Sequence, residues 1–128
     1  MATKREIRIE TMKGLYLFEI YGNCDFQMEQ VFSTSESIGL FQNVIKDLEK
    51  IDKSINENLY NYSFSRLSYV DKSILRIATY ELLFTDTPTS VIINEAVEIT
   101  KKFSDLDDQK QHKFNNSLLD SIAKVREK

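Results

Sequence analysis

The chain holds one cysteine, one proline, three glycines, one histidine and no tryptophan among its 128 residues. Each scarcity removes a class of protein. Cys24 has no intrachain partner, which excludes a disulfide framework and a cysteine-built zinc site and suits a reducing cytoplasm. So few Gly and Pro residues cannot supply the turns of an all-β fold, and no apolar run approaches the 18 residues needed to span a bilayer. The opening MATKREIRIE is followed by neither an apolar export core nor a small-residue cleavage site, so no export signal is expected. With 41% hydrophobic and 29% charged residues, the composition fits one soluble, cytoplasmic, helical domain over residues 1–128.

Catalytic signatures are missing as well. His112 has no cysteine set around it, and neither an HExxH pattern nor a GxSxG elbow occurs. His112 reads as a surface residue at a helix start. Gly14, Gly22 and Gly39 are too scattered to form a phosphate-cradling loop. These absences argue against an enzyme, a metal site or a bound cofactor.

The net charge of −3 conceals a segregation: residues 1–16 sum to +2, residues 17–100 to −7 and residues 101–128 to +2. Basic charge sits at both ends of an acidic body. If folding brings the ends together, they form one cationic face suited to a phosphate backbone, whereas in isolation they only solvate terminal helices.

Hydrophobic spacing lays out the helices. Residues 4–21 carry Ile9, Met12, Leu15, Tyr16 and Ile20 on one stripe, with Lys4, Arg5, Arg8 and Lys13 mostly off it, predicting an amphipathic helix with a basic outer side. Gly22, Asn23 and Asp25 break it, and Phe26, Met28, Val31 and Phe32 fit a short second helix or an ordered loop. From Ser35 to about Tyr60, apolar residues at 41, 44, 45, 48, 51, 55 and 59 predict one long helix that bends or restarts near Asp52. Ser68 and Asp71 form a variant capping box opening a largely buried helix to Phe84. After Pro88, Thr89 or Ser90 caps a helix to Phe103. A polar, acidic connection then leads to a last helix over about 111–126, with Phe114, Leu118, Ile122 and Val125 on one side.

Two charges fall inside apolar helix text: Arg76 in SILRIATYELL and Glu95 in VIINEAVEI. A buried charge persists only when paired, so the expectation is that they pair with each other, with Glu81 as the competing carboxylate and a phosphate as the functional alternative for Arg76. Tyr16 and Phe114 stand beside basic residues near opposite ends of the chain. That combination of ring and cation suits single-stranded RNA, although either ring alone also suits a core.

The blocks RLSYVDKSILRIATYELLF, PTSVIINEAVEITKKF and HKFNNSLLDSIAK, in this order and spacing, resemble the NusB transcription antitermination family from about Ile51 to Lys124. The resemblance implies an all-α fold of about seven helices in two small bundles packed across each other. It also implies an adaptor that binds boxA-type RNA of ribosomal leaders together with NusE, a small-subunit ribosomal protein, within the RNA polymerase antitermination complex. By position, Lys4, Arg5 and Arg8 match the basic N-terminal segment that meets RNA phosphates, Tyr16 matches the tyrosine of a Leu-Tyr pair, and Lys113 and Phe114 match the Lys-Phe of HKF. Departures from the family pattern are Glu6 at an often basic position, Ser104 for a usual Gly, Asn116-Ser117 for Asn-Gly and a longer connection before His112. Fewer phosphate contacts imply weaker, less salt-dependent RNA binding.

Three readings follow. In the first, terminal Lys and Arg hold phosphates, Tyr16 and Phe114 contact splayed bases, and the acidic middle accepts a basic partner, with Asp71, expected to be exposed at a helix start, as a contact. In the second, the same fold is a protein-interaction module, monomer or homodimer, that has lost RNA binding. A third makes the chain akin to the NusB-like domain of ribosomal RNA cytosine methyltransferases, against which stands the lack of a methyl-donor domain or a catalytic cysteine other than Cys24.

Overall fold

The computed structural model describes residues 2–24, 27–104 and 110–127, which form seven α-helices and two 3-10 turns without a strand. The helices are α1 Lys4–Tyr21, α2 Met28–Val31, α3 Ser35–Lys46, α4 Leu48–Asn58, α5 Tyr69–Phe84, α6 Thr89–Phe103 and α7 Lys110–Ala123, with 3-10 turns at Phe64–Arg66 and Lys124–Glu127. Asp25, Phe26 and most of the acidic connection before α7 lie outside the described residues.

α1 begins where the Thr3 hydroxyl accepts from the Glu6 N–H at 3.1 Å, and it ends at Gly22. There φ is +73° and the N–H donates to the Phe18 carbonyl, a left-handed cap that glycine adopts without strain. Its buried face runs through Ile7, Arg8, Thr11, Met12, Gly14 and Leu15. The expected stripe is therefore displaced: Ile20 is 48% exposed, while Arg8, assigned to the basic outer side, is 7% exposed. Hydrophobicity alone misplaces this face because two of its members are polar groups satisfied inside the fold. Gly14 lets the Phe32 ring lie directly on α1, since a Cβ there would collide with it.

The predicted long helix over 35–60 is two helices. The break falls at Asp47, with φ −104° and ψ 19°, rather than near Asp52. Apolar spacing runs on across the break from Val44 to Ile51, which is why periodicity does not reveal it. Phe41, Val44, Ile51 and Ile55 are all essentially fully buried. Burying side chains of this size contributes about 1.5–3 kcal/mol each.

α5 starts at Ser68, whose hydroxyl accepts from the Asp71 N–H at 3.1 Å, as the capping pattern predicts. Residues 71–79 are buried all round, so α5 is the central rod of the molecule. α1 and α3 pack beside each other and against α5, with α2 lying on α1, while α4, α6 and α7 pack on α5 as a second group in which α7 touches both α4 and α6. Pro88 takes the cap position of α6 with no side-chain cap bond, so neither Thr89 nor Ser90 has the expected capping role. The last helix tightens into a 3-10 turn after Ala123, which leaves Val125 half-exposed instead of in the apolar row.

Candidate nucleic-acid interface

α5 is antiparallel to α1, and their contacts sort by level. Arg8 meets Glu81 near the C-terminal end of α5, and Tyr16 meets Tyr69 at its start. Asp71 and Glu81 are separated by about 15 Å along the axis at 1.5 Å per residue. The side chain of Asn115 on α7 reaches Asp71 at 3.3 Å, so neighbouring Phe114 belongs to the Tyr16 level. Of the residues predicted to form one strip, Tyr16, Lys113 and Phe114 therefore gather toward one end of α5, and Lys4, Arg5 and Arg8 toward the other.

The gathered end is a series of rings and cations. Tyr16, 37% exposed, packs edge-on to Tyr69 with centroids 6.3 Å apart. The Lys72 ammonium lies 5.4 Å from the Tyr69 ring and 5.0 Å from the Phe64 ring, with Glu19 at 3.4 Å as its counter-charge. Tyr62, two residues before Phe64, packs on Phe114 at 5.4 Å, and the Arg66 guanidinium sits 5.2 Å over the Tyr62 ring. Lys113 is exposed beside Phe114. Tyr62, Leu67, Lys110, Gln111 and Phe114 line a hollow between the 3-10 turn and α7. Half-exposed rings flanked by exposed cations provide stacking faces with charge beside them.

The other end of α1 is internally neutralised. Arg8 donates from Nε and Nη2 to the two carboxylate oxygens of Glu81 at 2.9 and 2.8 Å, both partners being buried. Its hydrogen bond to Glu81 raises the Arg8 pKa above its ordinary value against the opposing effect of burial. Arg5 donates from Nε and Nη2 to Glu95, the shortest contact being 2.5 Å, and this bond likewise raises its pKa. Glu95 also lies 3.7 Å from Arg8 Nη1. Lys4 is exposed, Arg5 is partly exposed, and Arg8 is inaccessible, which corrects its expected place on an open basic face.

Two further expectations are overturned. Arg76 does not pair with Glu95. It donates to Asp52 at 2.8 and 2.9 Å and to Glu19 at 2.7 Å, while Glu95 is held by Arg5 and Arg8, and Glu81 by Arg8. The cause is helix direction: α1 and α4 bring their carboxylates to the middle of α5, whereas Glu95 lies level with the start of α1. Burial opposes the charge on Arg76, but its hydrogen bonds to Asp52 and Glu19 outweigh it and raise the pKa. For Glu19 burial acts upward, yet Arg76 and Lys72 together carry its pKa below the usual value.

Asp71 is 4% exposed and not an open contact. Its carboxylate accepts from the hydroxyls of Ser68 and Ser104, both at 2.7 Å, and from the Asn115 amide. It thereby ties together the start of α5, the end of α6 and α7. His112 is partly buried on α7 rather than fully on the surface.

Sequence reasoning passed over Tyr62, Phe64, Arg66, Tyr69 and Lys72. The signal was present: residues 60–69, YNYSFSRLSY, hold four aromatics and one arginine. Arg126 was also passed over. It donates to the carbonyls of Glu81, Leu82, Thr85 and Thr87 at 2.6–2.8 Å, closing the C-terminal end of α5 and the turn after it.

Comparison with known proteins places this geometry. The NusB family model matches residues 6–124. The transcription antitermination protein NusB of Staphylococcus aureus (strain MRSA252) is 36% identical over 132 residues, covering 95% of this chain and 99% of that protein. A crystal structure of NusB from T. maritima superposes with a TM-score of 0.79 at 33% identity, covering 96% of this chain and 92% of that one. A chain in the crystal structure of the antitermination factors NusB and NusE in complex with double-stranded RNA superposes with a TM-score of 0.80 at 25% identity, covering 95% and 96% of the two chains. With the family model matching residues 6–124 and relatives aligned over nearly the whole length, the chain belongs to the NusB family.

Proposed function

We propose that this chain is a transcription antitermination and ribosomal RNA biogenesis factor that binds boxA-type single-stranded RNA together with NusE, as one cytoplasmic RNA-binding domain over residues 1–128. One observation carries the reading: the ring-and-cation series running from Tyr16 through Tyr69, Lys72 and Phe64 to Tyr62, Phe114 and Arg66. In this reading Tyr16 and Phe114 stack on splayed bases. Lys4, Lys13, Arg66 and Lys113, all exposed, meet phosphates, and Arg5 joins them. The acidic residues 17–100, with Glu36, Glu49 and Glu57 exposed on α3 and α4, attract a basic ribosomal protein such as NusE. The complex then delivers the RNA to RNA polymerase as an adaptor, not as an enzyme.

The test is binding of a labelled boxA-type strand with and without purified NusE, at ionic strengths between about 50 and 200 mM. Affinity that falls with salt and rises with NusE supports the reading. A duplex of the same sequence serves as the competitor, because the relative above was crystallised with double-stranded RNA. Stacking on Tyr16 and Phe114 requires the single strand to win.

A second reading, a protein-interaction module that binds RNA weakly or not at all, draws on the pairing of Arg5 and Arg8 with carboxylates. Undetectable RNA binding at low salt, in both the presence and absence of NusE, together with a dimeric elution volume, would favour it.

A further inference from the structure

We infer that Glu95 is a built-in competitor for RNA phosphate at Arg5, so that Arg5 is a latched ligand released by exchange. This rests on the RNA-binding reading and concerns how that site is regulated. The two partners are unequal. The Arg5 side chain is 47% exposed and Glu95 only 13%, so the arginine is the member able to leave. Glu95 has a second cation in place, because Arg8 uses Nε and Nη2 for Glu81 and turns Nη1 toward Glu95 at 3.7 Å. When Arg5 departs, Glu95 is not stranded as an unpaired, mostly buried carboxylate, which would block the exchange.

Geometry also gives Arg5 somewhere to go. Positions 5 and 16 are eleven residues apart, three helical turns, and line the same edge of α1. A strand stacked on Tyr16 and running along that edge toward the start of α1 reaches Arg5. A phosphodiester presents two unesterified oxygens to the guanidinium fork much as the Glu95 carboxylate does, so Arg5 trades one two-oxygen acceptor for another. The trade has a cost: one carboxylate charge stays beside the bound strand, and the gain from Arg5 is smaller than its formal charge suggests.

The experiment measures affinity for a boxA-type single strand against salt for the wild type, E95Q, E95A and the double variant R5A/E95Q. Glu95→Gln keeps the shape and removes the competing charge. It is expected to tighten binding by roughly fivefold to tenfold and to steepen the log–log salt slope by about 0.7, one further phosphate on a single strand. Arg5→Ala in the E95Q background is expected to abolish the gain. Glu95→Ala, which removes the same carboxylate by a different change of shape, is expected to tighten binding in the same sense and does not depend on E95Q folding.

Equal or weaker binding by E95Q and E95A with native helicity overturns the latch while leaving RNA binding by the wild type intact. Loss of binding by every variant and the wild type alike overturns the RNA reading itself and the latch with it.

Discussion

The two ends of α1 carry similar amounts of basic sequence nearby but different surfaces. At the N-terminal end, Arg5 and Arg8 are met by Glu95 and Glu81, so two formal positive charges add little outward potential. At the C-terminal end, rings rather than charges dominate, and the buried cations Lys72 and Arg76 are balanced by Glu19 and Asp52 while exposed Lys13, Arg66 and Lys113 face outward. A count of Lys and Arg along a segment therefore measures potential only after their partners are known. For an anionic ligand, the second end offers the stacking surface and the first a reserve that must be unlocked.

The comparison is broken most severely by Arg8→Ala, which strands the buried Glu81 carboxylate and is expected to cost about 3–5 kcal/mol in urea denaturation. Arg5→Ala should leave the urea midpoint unmoved because its side chain is half in water. Equal effects of the two would mean that Arg8 is not the structural member of the pair. Next in size, Tyr16→Ala and Phe114→Ala are each expected to weaken binding of a boxA-type strand by about 1–3 kcal/mol, read by anisotropy titration. Tyr16→Ala should do so with its thermal midpoint nearly kept. Full affinity in both variants would remove the stacking role.

Arg126→Ala sharpens the comparison from the Glu81 side. Losing the donors that close α5 should cost about 1–2 kcal/mol of unfolding free energy, with faster amide exchange confined to residues 81–89. Uniform exchange across α5 would contradict a local capping role.

The smallest effect concerns acid. Glu19 has a folded pKa below its ordinary 4.5, because Arg76 and Lys72 outweigh the effect of burial. The unfolded chain therefore binds more protons around that pH, and the stability from Glu19 is complete above about 4.5 and fades as pH falls through the lower folded value. Glu19→Gln should destabilise at pH 7 and approach the wild type as the solution is acidified below about 4.5. A gap between the two urea midpoints that stays constant with pH would assign the loss to packing.

Much of the helical layout was legible in order and spacing. The start of α1 after Thr3, its stop at Gly22 and the Ser68 cap each rest on contacts within a few residues, which local chemistry dictates, and the burial of α5 was legible because its apolar residues cover more than one face. The break at Asp47 was not legible, because the apolar repeat passes through it. Nor was the true face of α1, because Arg8 and Thr11 count as polar in any periodicity and are buried by partners found elsewhere.

The candidate site divides in the same way. Tyr16, Lys113 and Phe114 could be nominated from residue type, position and family likeness, and the aromatic run at 60–69 was open to the same reasoning. Which carboxylate meets which arginine could not be read, since Arg76 chooses among Glu19, Asp52, Glu81 and Glu95 by helix direction and level, not by distance along the chain. Local propensity and capping act over one or two turns, so the linear text suffices for where helices form and how charge is distributed. Ion pairs and stacked rings depend on separations of 24 to 90 residues being closed by packing, and only the assembled bundle decides whether a given arginine faces water, a carboxylate or a ligand.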